Sequence, residues 1–219
     1  MRTYGDRCGI ARALDLVGDR WALLVVRELL LGPKRFSDLR AGLPGVSPDV
    51  LSQRLRELEE AGVVRRAKLP PPAPARVYEL TAPGRELEPV LLALGRWGSR
   101  APVPEGEPDL GVDATAIALK TVFDPDAADD LAARYELRLD SQPFRIEVSD
   151  GRLELSRGSA ERPDAVIATE PATLSAVLWH GRKLTEAKAA GDLEVEGSAQ
   201  AVRGFMRLFP LRDRGDHGP

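Results

Sequence analysis

Apolar residues recur at helical spacing through most of the first hundred positions, and at strand spacing through much of the remainder. From Arg20 to Leu31 the chain reads Arg-Trp-Ala-Leu-Leu-Val-Val-Arg-Glu-Leu-Leu-Leu, and Gly32-Pro33 stops the run. Only Arg27 and Glu28 interrupt its apolar part, which predicts a mostly buried helix. Phe36, Leu39 and Leu43 follow at helical spacing before Pro44-Gly45, predicting a short helix and a tight turn. Ser47 then supplies a capping hydroxyl, Pro48 suits a first helical position, and Gly62 is the next stop. One helix is therefore predicted over 48–61, spanning roughly 21 Å. Leu51, Leu55 and Leu58 form its apolar stripe, Asp49, Gln53, Arg56 and Glu60 point the opposite way, and Ser52 and Glu57 lie on the flanks. A helix, a short helix, a turn and an amphipathic helix fit a helix-turn-helix that reads the major groove, and they fit a solvated helix in any small bundle.

The next segment separates those readings. Residues 63–68 and 76–80 look like two strands around a tip, 69–75, that is rich in proline. Proline has no amide hydrogen for an inner ladder, so the tip must project, flanked by Arg65, Arg66, Lys68 and Arg76. A projecting basic hairpin after such a helix is a wing. Thr81 to Glu86 caps a last helix carrying Leu87, Val90, Leu91, Leu94 and Trp97, too apolar to stand in water alone. With Ile10, Leu14 and Val17 it is expected to form a homodimer seam.

Residues 100–109 hold three prolines and a glycine and read as a semi-rigid linker. Beyond it, 113–123 fits helix or strand, with Asp113 as a cap favouring helix. Alternation at 135–139, at 144–148 and, after the turn Asp150-Gly151, at 153–155 predicts three antiparallel strands. A more apolar strand over 164–168, a helix over 171–180, a fifth strand over 193–197 and a closing amphipathic helix over 198–209 complete the half. The fold class is α+β. A winged helix-turn-helix domain (1–100) is joined by a linker (101–109) to an antiparallel sheet covered by helices (110–215), with a tail at 216–219.

Composition adds limits. The chain has 219 residues, 43% hydrophobic, 30% charged and 5% aromatic, which suits two soluble domains. No apolar run resembles a signal peptide or approaches the roughly 18 residues of a membrane span, so a cytoplasmic protein without a membrane partner is expected. With Cys8, His180 and His217 as its entire cysteine and histidine content, the chain offers no disulfide framework and no structural zinc set. Asp124, Asp126, Asp129 and Asp130 lack the glycine and glutamate of a calcium loop and suit helix capping. No phosphate loop or nucleophile elbow is present, so neither a cofactor nor an enzyme is expected. The net charge of -3 hides an asymmetry: residues 1–100 carry 17 Lys+Arg against 12 Asp+Glu, and residues 101–219 carry 14 against 22. A +5 half beside a -8 half fits a polyanion partner for the first, or a plain solvated surface.

Residues 8–98 resemble winged-helix regulators of the HxlR family, related to the MarR group. The resemblance is carried by Cys8, Gly18-Asp19-Arg20-Trp21, Gly32 to Leu39, Leu43-Pro44-Gly45-Val46-Ser47, Leu51 to Gly62, Tyr78-Glu79-Leu80-Thr81 and Trp97. It implies a dimeric regulator on double-stranded DNA with a palindromic operator. The candidate contacts are Lys34, Arg35, Ser47, Ser52, Gln53, Arg54, Arg56, Arg65, Arg66, Lys68 and Arg76. The tip at 70–74 departs from the family by its prolines. Cys8 reads either as a redox or electrophile sensor or as a small residue buried under the first helix. The element order of the second half, with Asp164 opening a strand, Gly181 after a helix and Ala190 to Gly197 before the last helix, resembles a sterol-carrier-type domain. That resemblance implies an apolar effector in a cavity lined by Val166, Leu174, Val177, Leu178, Leu184, Phe205, Met206 and Phe209, residues that would equally fill a core. Three readings follow: a ligand-responsive DNA-binding regulator, which the resemblance favours; a carrier of hydrophobic ligands, or biosynthetic accessory protein, whose winged helix only mediates dimerisation; and a biosynthetic enzyme using the cavity.

Overall fold

Helix α1 (Gly9–Val17) leads into α2 (Ala22–Leu29), α3 (Phe36–Gly42) and α4 (Pro48–Glu60). These belong to a computed structural model that describes residues 3–70, 74–101, 109–128 and 131–210. The helix expected from Arg20 begins later, because Trp21 occupies its N-cap in the left-handed region with φ 77°. Helix α4 is bounded as its caps dictate. The Ser47 hydroxyl accepts from the Val50 amide at 3.3 Å, and Gly62 takes a φ of +70° that a side chain would resist. Leu51, Leu55 and Leu58 are buried, joining Val25, Val26, Leu29, Leu39 and Leu43 in one core.

Strands β1 (Val64–Lys68) and β2 (Arg76–Leu80) pair antiparallel, with Val64 opposite Leu80 and Lys68 opposite Arg76. The proline tip at 71–73 lies outside the described residues. Lys34 and Tyr78 exchange both backbone hydrogen bonds, at 3.0 and 2.8 Å, which ties the segment before α3 to this hairpin. The expected last helix is divided into α5 (Ala82–Arg85) and α6 (Glu88–Gly98). Pro89 explains the division, since a continuous helix would press its ring against the Arg85 carbonyl. The expected seam is corrected as well: Val17 is a core residue, and Leu87 and Leu91 are half-buried against that core. Ile10, Leu14, Val90, Leu94 and Trp97 remain exposed.

The chain divides into two units, Met1–Ala93 and Leu94–Pro219, the boundary falling inside α6. Of the expected linker, 102–108 lies outside the described residues, as does the tail. In the second unit, Val112–Val122 is a helix, α7, and a short helix α8 (Pro125–Ala128) follows, with Asp124 accepting from the Asp126 amide at its start. Strands β3 (Ala133–Leu139), β4 (Gln142–Ser149), β5 (Arg152–Arg157), β6 (Ala165–Thr169) and β7 (Leu193–Gly197) form one sheet in the order β5-β4-β3-β6-β7. Three of its pairings are antiparallel as expected, but β3 and β6 run parallel, Tyr135 opposite Ala165. Asp164 sets that direction: its amide donates to the Arg134 carbonyl at 2.8 Å and its carboxylate accepts from the Arg134 amide at 2.8 Å, fastening the start of β6 to the start of β3. Helices α9 (Pro171–Trp179), α10 (Leu184–Ala190) and α11 (Ala199–Arg207) complete the unit. The sequence reading missed α10, although alanines followed by Gly191 at φ 78° are an ordinary helix with a left-handed stop.

Candidate nucleic-acid interface

On α4 the buried leucine stripe leaves Asp49, Val50, Gln53, Arg56 and Glu60 exposed, with Ser52 on the flank. Those polar side chains are already linked. Arg56 donates to the Gln53 carbonyl oxygen at 2.7 Å, and the Gln53 amide donates to Glu57 at 2.6 Å. Glu57 also faces Arg54 at 2.6 Å, whose guanidinium lies 2.5 Å from Asp19. On this face the donors of Gln53 and Arg56 are engaged with neighbouring acceptors. Arg54 is corrected as a DNA contact: its side chain is only 16% exposed and serves to anchor α4 to the loop before α2. Asp19 and Glu57, which the sequence reading left without a role, are its anchors.

Lys34 is corrected too. Its backbone belongs to the hairpin sheet, so its side chain turns inward, where Nζ lies 2.5 Å from Glu28. Glu28 is 1% exposed and also pairs with Arg27 at 2.8 Å, and a buried carboxylate needs such cations. Gly42 makes room for it, since a Cβ there would stand 2.2 Å from the Glu28 carboxylate. Arg35 remains exposed at the start of α3, its amide donating to Asp38 at 3.2 Å, and Ser47 is exposed at the cap of α4.

The wing divides its four basic residues into two kinds. Arg65 pairs with Glu79 at 2.7 Å, while Arg66 pairs with Glu59 at 3.1 Å and lies over the Tyr78 ring at 5.7 Å. Lys68 and Arg76 are exposed, face each other across the ladder, and have no acidic partner among the described residues. Like charges directly opposite on paired strands destabilise a hairpin, so this end of the wing is built against its own stability. Cys8 is exposed at the N-cap of α1, and the buried reading of that thiol is overturned.

In the second unit the eight expected cavity residues separate. Leu174, Phe205 and Phe209 are fully buried, and Phe205 meets Tyr135 and Phe209 with ring centroids 5.2 and 5.0 Å apart. These three pack the core. Val166, Val177, Leu178, Leu184 and Met206 are half-buried. His180 is exposed just past α9.

A helix-turn-helix followed by a basic hairpin defines a class, the winged-helix transcriptional regulators of the HxlR and MarR type. The model of the HxlR-like helix-turn-helix family matches residues 16–105, and that of the alkyl sulfatase C-terminal family matches residues 104–214. The chain is 43% identical over 95 residues to the uncharacterized HTH-type transcriptional regulator sll1512 of Synechocystis sp., covering 43% of this chain and 70% of that one. It is 44% identical over 89 residues to the uncharacterized HTH-type transcriptional regulator YvaP of Bacillus subtilis, covering 40% and 82%. Among solved structures, the reduced form of the transcriptional regulator YodB from B. subtilis is 33% identical with a TM-score of 0.39, covering 43% and 94%. The chain belongs to the HxlR-like helix-turn-helix family through its first half and to the alkyl sulfatase C-terminal family through its second. The relatives of the first half are transcriptional regulators, which are not enzymes. Among the described residues no helix is long and apolar enough to cross a membrane.

Proposed function

We propose that the chain acts as a homodimer on a palindromic operator, with α4 reading base edges through Ser52, Gln53 and Arg56 while Arg35 and the wing hold phosphates. The end of the wing carries this reading: Lys68 and Arg76 stand opposed and exposed with no carboxylate beside them among the described residues. A polyanion is the partner that turns this mutual repulsion into attraction. Arg65 and Arg66 contribute less, because Glu79 and Glu59 already neutralise them. The exposed apolar residues of α1 and α6 support the dimer, Ile10 at 74% and Trp97 at 72%. The half-buried Val166, Val177, Leu178, Leu184 and Met206, together with the sterol-carrier-like order of elements, support an apolar effector for the second unit. Cys8, exposed on the segment leading into α1, is the thiol an oxidant or electrophile would reach.

The test is binding of the full chain to its own upstream DNA, followed by fluorescence anisotropy across a salt series. Replacing Lys68 and Arg76 together by alanine should weaken operator and random DNA alike and reduce the salt slope by about two units, one per lost phosphate contact. A slope unchanged in that variant would remove the wing from the interface.

A further inference from the structure

The buried ion cluster of the first unit lies where the segment before α3 meets the wing. Glu28 of α2 is 1% exposed and Lys34 is 9% exposed, and the Lys34 Nζ stands 2.5 Å from one oxygen of the Glu28 carboxylate. Arg27 pairs with the other oxygen at 2.8 Å and also donates to the Gly42 carbonyl, at the end of α3, at 3.5 Å. The backbone of the same Lys34 exchanges both of its hydrogen bonds with Tyr78, the middle residue of β2. One carboxylate on α2 is therefore linked to the end of α3 and, through Lys34, to the wing.

The bridge between Lys34 and Tyr78 has no room to grow into a strand. On one side Pro33 lacks the amide hydrogen that a ladder needs. On the other, α3 begins, and the Arg35 amide already donates to Asp38 at 3.2 Å. Two backbone bonds by themselves choose poorly among the residues of β2. A slip of two residues keeps the same faces and would carry Lys68 and Arg76 about 7 Å, more than twice the reach of a hydrogen bond to phosphate. With its Nζ on Glu28, Lys34 is held to α2, so the wing meets it at Tyr78. Stability does not demand charges at such a place, since an apolar pair of like volume often serves as well or better. What the ion pair adds is a definite partner.

We propose that Glu28 and Lys34 are positioning residues for DNA binding: their buried pair holds the bridge at Tyr78 and so places Lys68 and Arg76, two positions further out on the ladder, where they reach phosphate. Both side chains act from inside the unit, through the wing, and are not themselves presented to DNA. The inference rests on the reading of the wing as the element that holds phosphates.

The test is the full chain carrying Glu28→Leu and Lys34→Met together, which replaces the ion pair by an apolar one. Were the pair there for stability alone, a double variant that unfolds in urea near the wild type would also bind DNA as the wild type does. A positioning role separates the two. At recovered stability the amides of Tyr78 and position 34 should exchange with solvent about tenfold faster, while the Thr81 amide, bonded to Val63 at the base of the wing, keeps its protection. The salt slope of operator binding should fall by about two units, as in the chain with Lys68 and Arg76 replaced by alanine. Should the double variant fail to fold, Lys34→Met alone, which leaves Glu28 its Arg27 partner, is read by the same two measurements. Wild-type protection at both amides would overturn the inference. So would a full salt slope, where the alanine variant of Lys68 and Arg76 does lose two units. If neither variant changes the slope, the wing reading falls and this inference with it.

Discussion

Lys34 and Lys68 lie on the same small sheet and have opposite fates. Lys34 is drawn into the core by its two backbone bonds to Tyr78 and pairs with the buried Glu28, whereas Lys68 stands free at the far end of the hairpin. Removing Lys34 takes one of the two cations from the buried Glu28 carboxylate and leaves it Arg27, so Lys34→Met should cost about 1–3 kcal/mol, read by urea denaturation. Adding Glu28→Leu should recover most of it. A loss below about 1 kcal/mol in the single variant would mean that the pair is solvated after all. Tyr135 is the second residue whose setting has a measurable consequence. Burial pushes its phenol pKa up, Asp164 adds to the rise and Arg207 opposes it. The folded chain therefore keeps this proton at a pH where the unfolded chain has released it. The stabilisation is complete below about pH 10 and is lost as pH climbs through the folded value. The Tyr135 hydroxyl also has no protein partner among the described residues. Tyr135→Phe should thus gain about 1 kcal/mol near neutral pH and show a shallower alkaline fall than the wild type. Parallel alkaline curves for the two proteins would contradict the assignment.

Among elements, α4 was legible almost to the residue, because its boundaries are set by local chemistry: a serine cap, a proline at the first turn and a glycine stop. The hairpin and the second-unit strands were legible for the same reason, their alternation and turn residues being written in short stretches. What could not be read depends on partners far along the chain. The inward turn of Lys34 follows from pairing with Tyr78, and the parallel run of β6 follows from Asp164 meeting Arg134. The burial of Phe205 and Phe209 follows from one another's rings, and an apolar residue list carries no sign of whether it encloses space. Helix α4 yields its own prediction. Gln53 and Arg56 are hydrogen-bonded to each other, so they should read DNA as one unit. Each alanine replacement should reduce discrimination between operator and random DNA by about 1–3 kcal/mol, and the double replacement should lose clearly less than the sum. Competition titrations that gave strict additivity would assign the two residues to separate bases.

For the whole molecule, the charge balance and the exposed apolar residues have to be considered together. A chain with a +5 first half and a -8 second half has no net attraction to DNA, since its total is -3. Affinity must then come from local positive potential, and a monomer presents one wing and one α4. Doubling these on a two-fold axis doubles the phosphate contacts and fixes the spacing of two half-sites, which is what a palindrome demands. The exposed Leu94 and Trp97 on α6 and Ile10 and Leu14 on α1 are the side chains available to form that axis. Leu94→Glu places a charge one turn from the exposed Trp97 on α6 and should convert the full chain from dimer to monomer in sedimentation at micromolar concentration. Affinity for a single half-site should be unchanged, because no residue of α4 or the wing is altered, while affinity for the full palindrome should fall to that of the half-site. A Leu94→Glu protein that still sediments as a dimer would move the seam elsewhere. A wild-type chain that sediments as a monomer, and binds half-site and palindrome alike, would remove the two-fold axis altogether.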